Sequence, residues 1–135
     1  MNKLPGIITR IQQSGAILLI DLEVDGQRFS ALLIEAATSQ HWLCEGNAID
    51  LVFKETEVSL AKGLAGKIST RNRMMCSVIG LERGGLLSRV NLRFLNYTIV
   101  SAITTRALDS LQIKIGEEIE ALVKSNEIAL MQKSV

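Results

Sequence analysis

An internal repeat constrains the fold of this chain more than any other feature. Residues 5–62 align with residues 75–132 at a constant offset and without a gap. Identical positions include Gly15/Gly85, Leu22/Leu92, Ala37/Ala107, Gly46/Gly116, Ile49/Ile119, Lys54/Lys124, Glu57/Glu127 and Leu60/Leu130. Apolar positions also stay in register, as in Ile8/Val78 and Ile20/Val90. We therefore predict two copies of one module, the first over residues 1–62 and the second over residues 63–135.

The hydrophobic period within each copy is mostly two. One face of the first copy's strand carries Leu18, Ile20, Leu22 and Val24, and the other carries Leu19, Asp21, Glu23 and Asp25. In the second copy Val90, Leu92 and Phe94 oppose Arg89, Asn91 and Arg93. Such alternation indicates strands with one buried face. Asp25-Gly26 predicts a hairpin turn, because both central residues of that turn need positive φ; Asn96 stands at the matching place and tolerates the same conformation.

Each copy then continues with a short helical piece and two more strands. We place the helices at about Glu35–His41 and Thr105–Leu111, and the fourth strand of the first copy at Ile49, Leu51 and Phe53, with Val58 and Leu60 in the fifth. The fold class is therefore mainly β: two tandem five-stranded small barrels, similar to the oligonucleotide/oligosaccharide-binding (OB) type, each with one helix between strands three and four.

Composition excludes several classes of protein. The chain has 135 residues, of which 21% are charged, with a formal net charge of +1. No basic field would attract nucleic acid or an anionic membrane. Residues 1–11 do not resemble a signal peptide, and no apolar run approaches the length of a membrane helix. Cys44 and Cys76 have no metal-ligand spacing and fit two reduced thiols in a cytoplasmic protein.

Catalytic groups are scarce in this sequence. The single histidine, His41, stands beside Trp42 and is interpreted as a partly buried packing residue. We find no convincing nucleophile, acid/base pair or directly coordinated metal, so we expect no enzyme and no cofactor.

A set of hydrogen-bond donors suggests an anion site instead. Ser69 and Arg71 close the segment that precedes the aligned residues 75–132, Thr104 ends the third strand of the second copy, and Lys124 and Ser125 follow its fourth. A tetrahedral oxyanion has only acceptor oxygens, so its site needs hydroxyls, N–H groups and fixed positive charge. Each residue also has an ordinary structural role available, as a surface charge, a linker residue or a helix cap.

These motifs resemble a known family. The residues that carry the resemblance are Ser69-Thr70-Arg71-Asn72, Val78, Leu81 and Gly84-Gly85, followed by Thr104, Leu111, Ile113, Gly116 and Lys124-Ser125-Asn126. They are similar to the Mop domain, also called the molybdate-type TOBE domain, and the resemblance extends over nearly the whole chain as two tandem copies. Standalone two-copy members are called molbindins.

The resemblance implies binding of molybdate or tungstate at subunit interfaces. Carried over, Ser69, Arg71, Lys124 and Ser125 of one subunit would face Thr104 of another, so a homodimer or homotrimer is expected. Similar domains occur in molybdate-importer ATPases and molybdate-dependent transcription regulators. The alternatives are therefore a regulatory effector domain of such a protein, or an interaction scaffold that has lost anion binding.

The sequence departs from the family pattern at several positions. Ala107 stands where many members have serine, although its backbone N–H could still contribute, and Cys76 stands where glycine is usual. In the first copy Ile34 replaces the threonine and Glu35 would repel an anion, while Met1-Asn2 aligns with Arg71-Asn72. We therefore expect the first copy to build the oligomer rather than a complete site.

Overall fold

A computed structural model describes residues 1–34 and 41–133. The strands of the first half are β1 (Asn2–Ser14), β2 (Ile17–Val24), β3 (Gln27–Ile34), β4 (Ala48–Phe53) and β5 (Ser59–Ala61), with a 3-10 turn at Glu55–Glu57. The helix predicted over Glu35–His41 falls mostly outside the described residues.

The second half repeats this order. It contains β6 (Asn72–Glu82), β7 (Leu87–Phe94), β8 (Tyr97–Thr104), helix α1 (Thr105–Leu111), β9 (Glu118–Val123), a 3-10 turn at Ser125–Glu127 and β10 (Ala129–Gln132). The predicted fold class and the helix after the third strand are confirmed.

The period-two pattern produces the expected one-sided burial. The alternating residues of β2 and β7 are buried: Leu18, Ile20, Leu22, Val24, Val90, Leu92 and Phe94. Apolar residues of both halves join in one core, where the rings of Phe29 and Phe94 meet edge to face with centroids 5.9 Å apart. In the hairpin between β2 and β3, Asp25 and Gly26 have φ of 47° and 84°. In the second hairpin the positive φ falls on Leu95, at 55°, one residue before Asn96.

The two halves exchange their fifth strands. The first sheet has the order β10-β4-β1-β2-β3, and the second has the order β5-β9-β6-β7-β8. β5 pairs with β9 antiparallel, with Leu60 opposite Ala121, and β10 pairs with β4, with Leu130 opposite Leu51. The division of the chain after residue 62 remains a prediction about its sequence, since each sheet in space contains a strand from the other half.

Two buried asparagines connect the halves in the same way. The Asn72 side chain accepts from Ser30 N at 2.7 Å and donates to Ser30 O at 2.9 Å. The Asn2 side chain makes the matching pair of bonds with Val100, both at 2.8 Å. Each amide therefore satisfies one backbone N–H and one backbone carbonyl of the opposite sheet.

Among the described residues, no helix is both long and apolar enough to cross a membrane.

Candidate functional site: an anion site at one end of the second sheet

Arg71 and Lys124 lie at the same end of one strand pair. Asn72, which follows Arg71, pairs with Val123 in the β6–β9 ladder. Lys124 follows Val123 and begins the 3-10 turn that ends β9. Because the ladder is antiparallel, this register sets the two cationic residues side by side where the ladder begins.

Arg71 is folded back onto the segment between β5 and β6, residues 62–71, which we call the linker. Its Nε donates to the Ser69 carbonyl at 3.1 Å, and Nη2 donates to the Ile68 carbonyl. Both Ser69 and Arg71 are exposed. Since these acceptors are neutral carbonyls, the charge of the guanidinium is not compensated by them, and the linker presents it at the surface.

Ser125 lies where the two sheets meet. Its hydroxyl is 2.6 Å from the hydroxyl of Ser30, on β3 of the first sheet. A cavity of about 230 Å³ extends beside Lys124, and its lining includes Thr70, Leu64, Ser59 and Glu127. This end of the second sheet thus brings together hydroxyls and positive charge, with one carboxylate at its border.

Thr104 lies at the other end of the same sheet. Thr104 of β8 pairs with Leu87 of β7, which lies beside the carboxyl end of β6. Arg71 precedes the amino end of β6, a strand of 11 residues. At about 3.3 Å per residue the strand extends over roughly 30 Å, so one small anion cannot touch both ends. A single chain therefore holds Ser69, Arg71, Lys124 and Ser125 at one end and Thr104 at the other.

Thr104 begins helix α1 as its N-cap. Its hydroxyl accepts from the backbone N–H of Ala107 at 3.1 Å, so this N–H, which sequence reasoning offered as an anion donor, already has a partner. An open cavity of about 660 Å³ beside Thr104 also contains Arg106, Arg83 and Asp109. Arg83 makes two hydrogen bonds to the Asp109 carboxylate, at 2.5 and 2.8 Å, which hold the pKa of that carboxyl below its usual value.

Two residues differ from what the sequence indicated. His41 was interpreted as partly buried, but it is exposed, and its carbonyl accepts from the Cys44 thiol at 3.1 Å. Asn72 belongs to the family motif and no role was predicted for it, yet it is fully buried and connects the two sheets. The signal for its role was the match of Asn2 with Asn72 at the offset of the repeat, just outside the aligned range.

In the first half an acidic residue stands at the position that corresponds to Ser125. Glu55, which aligns with Ser125, accepts two hydrogen bonds from Arg89 of β7, at 3.1 and 3.0 Å. The bonds from Arg89 lower the pKa of the Glu55 carboxyl. No group of three or more His, Cys, Asp or Glu side chains in the described part of the chain could hold a metal ion.

Comparison with known proteins agrees with this architecture. Residues 68–130 match the family model of the TOBE domain, which confirms the resemblance in the half that carries the candidate site. The class of protein is thus a mainly β chain of two OB-like halves, the second of which matches the TOBE domain model.

Particular relatives are similar to this chain over different extents. A crystal structure of the cytoplasmic molybdate-binding protein ModG, with molybdate bound, superposes with a TM-score of 0.92 at 21% identity, covering 98% of this chain and 96% of that one. The molybdenum import ATP-binding proteins ModC of Brucella abortus and Brucella suis are 33% identical over 78 residues. That match covers 57% of this chain but only 22% of each importer protein.

Proposed function

We propose that this chain is a non-catalytic cytoplasmic protein that binds molybdate or tungstate, for storage, homeostasis or sensing. The observation that carries the proposal is the juxtaposition of Arg71 and Lys124 at the start of the β6–β9 ladder, beside Ser125. These groups supply a planar donor fork, a compact charge and a hydroxyl, which suit a tetrahedral dianion. The fold shared with ModG, whose structure holds molybdate, supports the same ligand.

Titration calorimetry with sodium molybdate tests the proposal, with tungstate and sulfate as comparison anions. We expect Arg71→Ala/Lys124→Ala to weaken molybdate binding about 100-fold or more, because each charged hydrogen bond contributes about 1.5–3 kcal/mol. Lys3→Ala/Arg93→Ala removes the same charge from exposed strand positions and is the matched control. Absence of heat with all three anions would contradict the proposal, as would equal binding by the two double variants.

The position of Thr104 supports a site completed by a second subunit. We expect Thr104→Ala to weaken binding although Thr104 lies far from Arg71 within its own chain. When Thr104→Ala chains are mixed and refolded with Arg71→Ala/Lys124→Ala chains, some interfaces regain a complete set of donors. Binding should then recover in part, and the mixed protein should elute as an oligomer in gel filtration. If mixing restores nothing while both parents form oligomers, the site does not lie between subunits.

A second candidate is a regulatory effector domain. The match to the ModC importer proteins favours it, since this chain covers only a fifth of their length. The size of the protein in its own cells, measured by immunoblot, separates the two: a product of about 15 kDa fits a standalone binder, and a much larger one fits an effector domain. Should the titration show no anion binding, the remaining candidate is an interaction scaffold.

A further inference from the structure

The repeat places an acidic residue where the candidate site has a hydroxyl. Lys54 and Glu55 align with Lys124 and Ser125. The structure shows the same backbone at both places: each lysine is the extended residue before a 3-10 turn, with φ and ψ of −75° and 149° for Lys54 and −66° and 147° for Lys124. The two surfaces therefore differ in side chains and not in local fold.

The Glu55 carboxylate is bound as an anion would be. Arg89, from β7 of the second sheet, donates Nε to one carboxylate oxygen and Nη2 to the other. The amino group of Met1, which aligns with Arg71, lies 3.6 Å from Glu55 Oε2. Arg89 also lies near a second carboxylate, since Glu82 Oε1 is 3.6 Å from Arg89 Nη1. A planar guanidinium recognises a carboxylate and a tetrahedral oxyanion with the same donor pair.

A second carboxylate also acts at this turn. Glu57 accepts a hydrogen bond from the Lys54 backbone N–H at 3.0 Å. Glu127 aligns with Glu57, but among the described residues no corresponding hydrogen bond from the Lys124 N–H to Glu127 is formed at the second turn. The arginine position differs as well, because Leu19 of β2 aligns with Arg89. Thus the carboxylates of the first-half turn accept from Arg89 and from the Lys54 N–H, whereas Arg71 donates hydrogen bonds only to linker carbonyls among the described residues.

We propose that Glu55 fills the anion position of the first half with the chain's own carboxylate, so that an external oxyanion is taken up only at the second-half site. The inference rests on the proposed function and adds to it the residue that sets which of the two repeat-related places accepts ligand. The tethered carboxylate neutralises Arg89 and joins the first-half turn to the second sheet. A free dianion would have to displace it from both hydrogen bonds.

The Glu55→Ser variant tests this inference, because it gives the first half the residue of the second. Titration with sodium molybdate should show about one additional equivalent per chain beyond the wild-type count. The new class should be roughly tenfold or more weaker than the second-half site, since position 1 offers no arginine side chain. Glu118→Gln removes an exposed carboxylate on β9 and should leave the count unchanged.

Two further variants make the outcome decisive. In Glu55→Ser/Arg89→Leu, with leucine as at position 19, the additional equivalent should disappear. Glu55→Ser/Glu82→Gln keeps the released guanidinium from pairing with Glu82 instead. If both Glu55→Ser and Glu55→Ser/Glu82→Gln fold, by circular dichroism, yet bind the wild-type number of equivalents, the inference is overturned and Glu55 is only an ion-pair partner. Absence of binding by the wild type contradicts the proposed function, but a gain in Glu55→Ser over the wild type still decides this inference.

Discussion

The two halves of the chain build the same antiparallel strand pair, β1 with β4 and β6 with β9, with opposite choices of side-chain size at corresponding positions. In the first half, Gly6 of β1 faces Leu51 of β4, and a Cβ added at Gly6 would lie 2.6 Å from Leu51 Cδ1. In the second half the aligned residues are Cys76 and Ala121, both buried. In each half one strand carries the smaller residue and the other strand the larger one, but the order is reversed. Each half thus has one small residue at this point of the ladder, and the strand that carries it differs between the halves.

The largest expected effect comes from breaking this compensation. Leu51→Ala should lower the free energy of unfolding by about 2–5 kcal/mol, because it leaves a cavity under Gly6. Gly6→Cys alone should cost about 1–3 kcal/mol through overpacking against Leu51. The double variant, which copies the second half, should be more stable than the sum of the two effects predicts. Urea unfolding of the four proteins measures the coupling, and simple additivity would show that the two sites do not compensate.

The buried asparagines are the feature in which the halves agree. Asn2→Ala and Asn72→Ala should each lower the free energy of unfolding by about 2 kcal/mol, because each leaves a backbone N–H and a carbonyl of the opposite sheet without its partner. Equal effects are expected from their equal geometry. Asn126→Ala, at an exposed position, is the control and should change stability little. A loss at Asn72 no larger than at Asn126 would contradict the role assigned to these amides.

At the position of Gly6 in the repeat, the second half has a titratable side chain, Cys76. Burial raises the pKa of the Cys76 thiol to about 12, from an ordinary value of 9.0. Between pH 9 and 12 the folded protein therefore keeps a proton that the unfolded chain releases. The contribution of this thiol to the free energy of unfolding is complete below pH 9 and is lost as the pH rises toward 12. Each pH unit in that window costs about 1.4 kcal/mol. The free energy of unfolding under reducing conditions should fall more steeply between pH 8 and 10 in the wild type than in Cys76→Ala, and parallel curves would refute this.

Much of the fold could be predicted because its signals are local. Alternation along β2 and β7 determines which residues are buried, and the Asp25-Gly26 turn determines the register of its hairpin. The fifth strands show the limit of such reasoning. Val58 and Leu60 predict a strand, but the exposed edges of β4 and β9 come from two copies of one module and are nearly equivalent. A period of two cannot indicate which of these edges β5 joins, so the exchange appears only in three dimensions.

Part of the candidate site could also be predicted from the sequence. Arg71 and Lys124 are far apart in sequence, and the resemblance to a family placed them together, as the register of β6 and β9 does in the structure. The contact of Glu55 with Arg89 depends on how the two sheets meet, and no pattern within either copy contains that information. The sequence shows only that Glu55 aligns with Ser125. The structure adds that Arg89 is the partner of Glu55.

The smallest expected effect concerns a hydroxyl that one half has and the other lacks. Ser101 of β8 is fully buried, and its Oγ donates to the Val58 carbonyl at 2.6 Å, across the boundary between the halves. Ala31 of β3 occupies the aligned position and is equally buried. Ser101→Ala, which makes the second half like the first, should lower the free energy of unfolding by about 1 kcal/mol, since one buried hydrogen bond is lost. Ser77→Ala, on the exposed face of β6, should be close to neutral. If the two serine variants unfold at the same urea concentration, the exchanged strand is held in the second half as in the first, by backbone pairing and apolar contact alone.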